Sequence, residues 1–523
     1  MNKKSIPIYL ALFGAFLPSC SNTRDEGISE RPNIIFIMSD DHAVQAISSY
    51  GSDINKTPHI DKLAGEGIKF ENAFVTNSIC APSRAVILTG KHSHLNGVMD
   101  NSSRFDSSQI TFPKILREKG YTTAIVGKWH LKSQPAGFDY WNVLPGQGDY
   151  YNPRFIKNGK DTVYEGYVTN VTTDLALDWI ESKKREKPFM LMMHHKAPHR
   201  NWMPHTMYLD EYEDKVFPQA VNFWENYTDK QHLQQQKLTI ARHMDIRYDL
   251  KIPCDTCKQV KVNWWAKAAY EEALARMNED QLAAWEKGYE EEIRSFFSRE
   301  NFSEEDFARW KLNRYIQDYL RTIISVDESV GRILTYLEEN ELKENTVVIY
   351  TSDQGFFLGE HGLFDKRYMY EESLQTPLLM MYPERVDPGL VSTRLVQNLD
   401  IAPTLLDMAG VEIPGSMQGR SLLPLMKENK NTEWRDAIYY QFYETGWGVT
   451  PHYGIRTDRY KLIRFETDPV SWELYDLHQD PVEMHNLYGN REYEEVQNEL
   501  HIKLRDLRKK YSLTGGRNEK SSS

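Results

Sequence analysis

Four short apolar runs in this chain stop abruptly at charged or imidazole side chains. Asn33–Ser39 runs into Asp40-Asp41-His42, and Thr122–Val126 runs into Gly127-Lys128-Trp129-His130. Phe189–Met193 runs into His194-His195-Lys196-Ala197-Pro198-His199, and Thr346–Thr351 runs into Ser352-Asp353-Gln354-Gly355. A run that is apolar at every position and of strand length reads as a strand buried on both faces, in a parallel sheet covered by helices. Adjacent carboxylates at a strand's carboxyl end are costly unless a cation binds them. Open α/β sheets place ligands at that edge. Four such ends sharing one edge predict an active-site rim.

The segments between the runs read as helices. Thr57-Pro58 opens a capped helix start, Phe112–Lys119 precedes the glycine stop Gly120, and Val168–Ser182 and Ile316–Leu337 carry helical spacing. The alternation predicts a doubly wound α/β domain over about residues 32–424. Residues of about 202–313 break it. They are rich in Gln, Glu, Lys, Tyr and Trp, with a helical stretch at Ala266–Phe297, and read as an insertion covering the edge of the site. Its Trp264 and Trp265 are expected in the core, the common fate of aromatic side chains, with sugar stacking as the other reading. Residues 425–513 change character to short strands and a final helix, Val496–Tyr511, a smaller C-terminal α+β subdomain. The tail 514–523 is expected to be disordered.

A different kind of signal lies in Asn77–Gly90. Cys80 precedes the apolar run Ala85–Leu88, Pro82 suits a first helical turn, and Gly90 suits the exit. Cys80 is therefore expected at a helix N-terminus, where free N–H groups favour an anion. Arg84, about one turn on, can aim a cation at the same place.

Cys80-Ala81-Pro82-Ser83-Arg84 resembles the signature of the type I sulfatases. The resemblance extends from Asn33 to about Leu487 and includes the phrases Arg456–Ile463 and Glu473–Pro481. It implies an alkaline-phosphatase-like fold, a doubly wound mixed sheet flanked by helices, with the C-terminal subdomain attached. It also implies that Cys80 is oxidised to formylglycine by a maturating enzyme. One oxygen of the aldehyde hydrate then attacks sulfur, and the second, on losing its proton, expels sulfate. Asp40, Asp41, Asp353 and Gln354, with the modified Cys80, match the family's calcium ligands. Oxygen donors suit Ca²⁺, while Mg²⁺ demands stricter geometry. Gln354 stands where many members carry Asn. Arg84, Lys128 and Lys366 match the cations around the sulfate, which balance charge developing on its oxygens. His130 matches the histidine that orients or deprotonates the hydrate, and His199 the candidate general acid, with His195 its rival. His361 reads either as a residue behind the site or as a structural histidine. His452 is a candidate sugar contact. The insertion resembles those of bacterial carbohydrate sulfatases, including N-acetylglucosamine-6-sulfatases.

Net charge is −12, which argues against nonspecific nucleic-acid binding and requires a local basic pocket for an anionic substrate. Lys3 and Lys4 precede an apolar run, Ile6–Leu17, too short to span a bilayer. Leu17-Pro18-Ser19-Cys20 resembles a bacterial lipoprotein cleavage box. Residues 1–20 are thus expected to be removed up to a lipid-bearing Cys20, with 21–31 a linker. That places the protein in the periplasm or on the cell surface, touching membrane through the lipid alone. Cys254 and Cys257 form a lone C-x-x-C, read as a local disulfide rather than zinc, which needs further ligands. The expected substrate is a sulfated sugar of a glycosaminoglycan or mucin: N-acetylglucosamine 6-O-sulfate first, then 4-O- or 6-O-sulfated galactose or N-acetylgalactosamine. The competing readings are a phosphohydrolase or phosphonate hydrolase of the same superfamily, and a glycan-binding protein without activity.

Overall fold

A computed structural model describes residues 31–183, 187–255, 263–299, 302–427 and 432–513. The expected signal peptide and most of the linker, the tail 514–523, and Cys257 lie outside the described residues. Cys254 is disulfide-bonded.

The four apolar runs are strands β1 (Asn33–Ser39), β2 (Thr122–Lys128), β3 (Phe189–His194) and β4 (Thr346–Ser352). They lie side by side in the order β4-β1-β3-β2 at the centre of a ten-stranded sheet, every pairing parallel. The register aligns Met38 with Thr351 and His194, so the carboxyl ends share one edge. Almost every residue of these strands is buried, as both-face burial requires. Gly127 is fixed by this pairing. Its φ is +98°, and a Cβ there would sit 1.9 Å from the His194 carbonyl oxygen. Only glycine lets β2 close on β3 and deliver Lys128 to the edge.

The sheet is mixed. Leu378–Met381 runs antiparallel to β4 and to Ile68–Phe70, and the hairpin Arg154–Lys157/Lys160–Val163 extends the opposite side beyond Tyr140–Leu144. Helices cover it: Pro58–Gly65, Phe112–Glu118, Val168–Glu181, Ile401–Met408, and two labelled here, α1 (Cys80–Thr89) and α2 (Glu304–Glu339). One apolar cluster joins β1 and β3 to Ala81, Ala85, Leu405 and Phe112, and another joins the opposite sheet face to Val326, Val330 and Ile333 of α2. The core thus fills both sides of the sheet.

The insertion is less helical than expected. Residues 202–239 are loops with two short 3-10 turns. The helical stretch is two helices, Trp264–Ala275 and Glu279–Ser298, and the last residues of the predicted insertion already belong to α2. Trp264 and Trp265 are 72% and 60% exposed, which corrects the expectation of core packing. They occupy the first turn of a helix whose inward positions are taken by Ala266 and Tyr270.

The C-terminal subdomain is a four-stranded antiparallel meander, Ala437–Phe442, His452–Thr457, Tyr460–Phe465 and Ser471–Asp476, backed by the helix Glu494–Lys510. Its inner face packs against Phe357, Leu363, Tyr368 and Tyr370 of the loop that follows β4.

Candidate active site

The carboxyl edge gathers its acids through backbone bonds between neighbouring strands. Asp40 N–H donates to Ala197 O (3.3 Å), and Asp353 N–H donates to Ser39 O (3.2 Å). Asp41, at φ +70°, donates its N–H to Asp353 Oδ1 (3.2 Å). One oxygen each of Asp40, Asp41 and Asp353 lies within 4.8 Å of the others, and all three residues are fully buried. Asp40, Cys80 and His199 form a second such group.

Cys80 is the first residue of α1, as expected, and Gly90 ends the helix in the left-handed conformation. Its thiol reaches Asp40 Oδ1 at 3.5 Å and accepts from Gln354 Nε2 at 3.8 Å. Burial pushes the thiol up to about 12, with Asp353 and Asp41 adding to the shift against Lys366 and Arg84. As a thiol, residue 80 stays protonated and is a weak nucleophile.

Three cations enter from separate segments. Arg84 donates Nε to Asp353 Oδ2 (2.9 Å) and Nη1 to Lys128 O (2.8 Å). The Lys128 ammonium binds Asp40 Oδ2. Lys366, just after Phe364-Asp365, bridges both oxygens of Asp41 at 2.5 and 2.6 Å. Burial drives Lys128 well below its ordinary value despite Asp353, whereas Lys366 resists burial because Asp41, Cys80 and Asp365 hold it above. Burial also lifts Asp41 to about 6, with Lys366 opposing and Asp353 reinforcing.

The imidazoles divide. His199 Nδ1 donates to Arg200 O (2.6 Å), which leaves Nε2 as the lone-pair nitrogen facing Asp41 Oδ2 at 3.9 Å. His130, at φ +55°, has a buried Nδ1 without a hydrogen-bond partner among the described residues. Burial holds both far below the usual imidazole range, helped by Lys128 and Lys366 in each case. A neutral His130 suits a base. A neutral His199 suits an acid only once an anion enters and offsets the cations around it.

Of the other three predicted histidines, His195 and His452 are corrections, and His361 takes the structural one of its two readings. His195 is turned onto α2, its Nε2 at 3.1 Å from Ser329 Oγ. His195 faces α2 while His199 Nε2 faces Asp41, so His195 does not rival His199. His361 pairs with Glu225 Oε2 at 2.6 Å and stacks on Tyr370. His452 is 1% exposed, with Nδ1 on Thr450 O (2.8 Å) and its ring among Tyr368, Tyr440, Phe442 and Phe465. Both serve the packing of the C-terminal subdomain.

Two residues at this edge carry no individual role in the sequence reading. His194 Nδ1 sits 3.0 Å from Lys128 O and 3.5 Å from Arg84 Nη1. Lys196 is buried, with Nζ over the Tyr150 ring and 3.3 Å from Gln147 O; burial lowers it to about 8 against the pull of Asp149, Asp41 and Cys80. Their only sequence signal was membership of the polar string after β3.

The donor set fits a hard divalent cation. Three carboxylates and an amide converge, and Gln354 Oε1 is buried with no hydrogen-bond partner among the described residues. Gln354 Nε2 now donates to Asp41 Oδ1 at 2.5 Å, and a half-turn of that amide would present its oxygen instead.

Comparison with known proteins places this geometry. The sulfatase family model matches residues 32–411, and the model for the N-sulphoglucosamine sulphohydrolase C-terminal region matches 359–510. The chain is 42% identical over 519 residues to an N-acetylglucosamine-6-O-sulfatase of Bacteroides thetaiotaomicron, covering 98% of this chain and 92% of that protein. It is 28% identical over 450 residues to the human N-acetylglucosamine-6-sulfatase, covering 81% and 69%. A solved structure described as a complex with its substrate D-glucosamine-2-N,6-O-disulfate superposes with a TM-score of 0.89 at 42% identity, covering 94% of this chain and all of that one. With acids, cations and Cys80 converging at one sheet edge, and similarity running through both domains, the chain belongs to the sulfatase family.

Proposed function

We propose that this sulfuric ester hydrolase removes the 6-O-sulfate of an N-acetylglucosamine or glucosamine residue, with residue 80 as a formylglycine and calcium held by Asp40, Asp41, Asp353 and Gln354. The observation that carries the substrate reading is the 42% identity, over nearly the whole chain, to an N-acetylglucosamine-6-O-sulfatase. The similar structure holding a 6-O-sulfated glucosamine supports the same hydroxyl position.

Bound calcium would supply Lewis-acid polarisation of sulfate oxygens and lower the pKa of the attacking hydroxyl. Residue 80, oxidised by a maturating enzyme, supplies a hydrate with one oxygen to attack sulfur and a second whose deprotonation releases sulfate. Lys128 and Lys366, now ion-paired to Asp40 and Asp41, would turn to the sulfate oxygens once a divalent ion satisfies those carboxylates. Arg84 stays on Asp353 and keeps that carboxylate oriented. His130 takes a proton from the hydrate, and His199, charged once sulfate is bound, donates one to the leaving sugar oxygen.

The lipoprotein box at Leu17–Cys20 supports a lipid-anchored protein of the periplasm or cell surface. Sulfated host glycans, glycosaminoglycan or mucin, suit that location.

The test is sulfate release by protein co-expressed with a maturating enzyme, on monosulfated N-acetylglucosamine, galactose and N-acetylgalactosamine and on matched aryl sulfate and aryl phosphate. The 6-O-sulfate of N-acetylglucosamine should be the fastest sugar. Faster turnover of a galactose sulfate would move the substrate, and faster aryl phosphate would overturn the sulfatase chemistry.

A further inference from the structure

The site does not end at His199. The next residue, Arg200, is only 15% exposed and is clamped by Asp249, with Nε and Nη2 at 2.6 and 2.7 Å from the two carboxylate oxygens. Around its guanidinium lie three rings, Phe364 at 5.1 Å, Tyr248 at 5.4 Å and Trp447 at 5.7 Å. Tyr248 continues to Trp265, with ring centroids 5.2 Å apart. Phe364 lies two residues before Lys366. The ring cluster is therefore joined to the sulfate-handling groups through both His199-Arg200 and Phe364-Asp365-Lys366.

The outer members of this cluster face solvent. Trp447 is 44% exposed and Trp265 is 60% exposed. They come from distant segments, the C-terminal subdomain and the insertion. The Trp447 turn is locked: Lys237 N–H donates to Trp447 O at 2.8 Å, and a Cβ at Gly448 would sit 2.1 Å from Gln235 O. Trp447 itself holds φ +61°, a conformation that costs a bulky residue free energy. A large ring kept exposed on a fixed, strained turn is pre-organised for binding rather than for the core. Because Asp249 neutralises Arg200, the surface offers aromatic faces rather than net positive charge.

We propose that Trp447, Tyr248 and Trp265 form a stacking platform for the uncharged pyranose next to the sulfated sugar in a glycan chain. This rests on the hexosamine-sulfate reading and extends it from one sugar to at least two. Pyranose C–H faces are apolar and slightly positive, and they match the electron-rich faces of indole and phenol.

The experiment uses the matured full-length enzyme and its Trp447→Ala, Trp265→Ala and Trp447→Phe variants. The first readout is the ratio of kcat/KM on a 6-O-sulfated N-acetylglucosaminyl disaccharide to that on the monosaccharide. Wild type should favour the disaccharide. Each alanine variant should lower the ratio by about three- to tenfold, and Trp447→Phe should restore most of it. A wild-type ratio of one, or equal losses on both substrates, would overturn the platform. The second readout is intrinsic-fluorescence titration with unsulfated N-acetylglucosamine trisaccharide, which needs no turnover. Saturable binding weakened by Trp447→Ala supports the platform even if no sulfate is released from either sugar, an outcome that would sink only the substrate reading. No wild-type binding overturns the platform.

Discussion

Two buried charge clusters in this molecule contrast sharply. At the sheet edge, Asp40, Asp41 and Asp353 crowd within 4.8 Å of one another. Between the catalytic domain and the C-terminal subdomain, acids and cations alternate instead. Lys461 stands 2.8 Å from both Glu371 and Glu483, Arg456 is 3.1 Å from Glu371, and Glu225 takes Lys230 and His361 at 2.5 and 2.6 Å. Burial alone therefore does not mark a site. In the second cluster each charge already faces its opposite, which fixes the docking of two domains. In the first, three carboxylates crowd together, each touching Lys128, Lys366 or Arg84, beside a buried amide oxygen that has no hydrogen-bond partner among the described residues, a donor set that also fits a divalent cation.

The comparison breaks most visibly at residue 80. Cys80→Ala should reduce kcat/KM by a factor of about ten thousand or more while leaving the thermal transition in place. Retained turnover in a steady-state assay would remove residue 80 from the chemistry. Asp353→Asn should come next. It should lower calcium content, read by elemental analysis, and cut the rate by about a hundred- to thousandfold. An unchanged metal content would move the ligand set elsewhere.

Lys461→Met should invert this pattern. Removing the cation strands Glu483 in the domain interface and leaves Glu371 to Arg456 alone, and should cost about 3–5 kcal/mol of stability by denaturant titration. The specific activity of the folded fraction should stay within about twofold, because the ion-pair partners of Lys461, Glu371 and Glu483, lie outside the site. A catalytic collapse without destabilisation would mean the two clusters are one.

The smallest effect concerns Glu473 in the same interface. Burial raises its carboxyl to about 8, against Lys230 and the hydroxyls of Tyr475 and Tyr370. A carboxyl raised on folding keeps its proton in the native state, so the stability it contributes is full below pH ~4.5 and is lost as pH rises through about 8. Glu473→Gln should flatten the fall of the thermal midpoint between about pH 5 and pH 8. An unchanged slope would assign that fall to another group.

Much of the edge was legible before folding because its signal is local. Apolar runs with polar ends specify strands and their termini, and Pro82 with Gly90 brackets α1 around Cys80. Burial on both faces puts β1–β4 in one parallel sheet with a shared edge, but their order, β4-β1-β3-β2, is set by the folded structure alone. What remained illegible depends on side-chain direction. In His194-His195-Lys196-Ala197-Pro198-His199, only the folded turn decides that His199 faces Asp41 while His195 faces Ser329. The antiparallel strands Ile68–Phe70 and Leu378–Met381 are too short to announce a pairing. Trp264 and Trp265 sit at a helix start whose inward face no periodicity could fix. His361 and His452 lie near polar motifs in sequence but are claimed by aromatic packing.

The central claim is that the crowded acids hold a divalent cation beside an oxidised residue 80 that removes sulfate from a sugar. The most direct measurement is sulfate released from N-acetylglucosamine 6-sulfate by matured protein before chelation, after chelation, and after calcium is restored. The account predicts many turnovers per protein, their loss on chelation, and their recovery with calcium. Sulfate release that ignores the chelator, or its absence from fully matured protein, would contradict it.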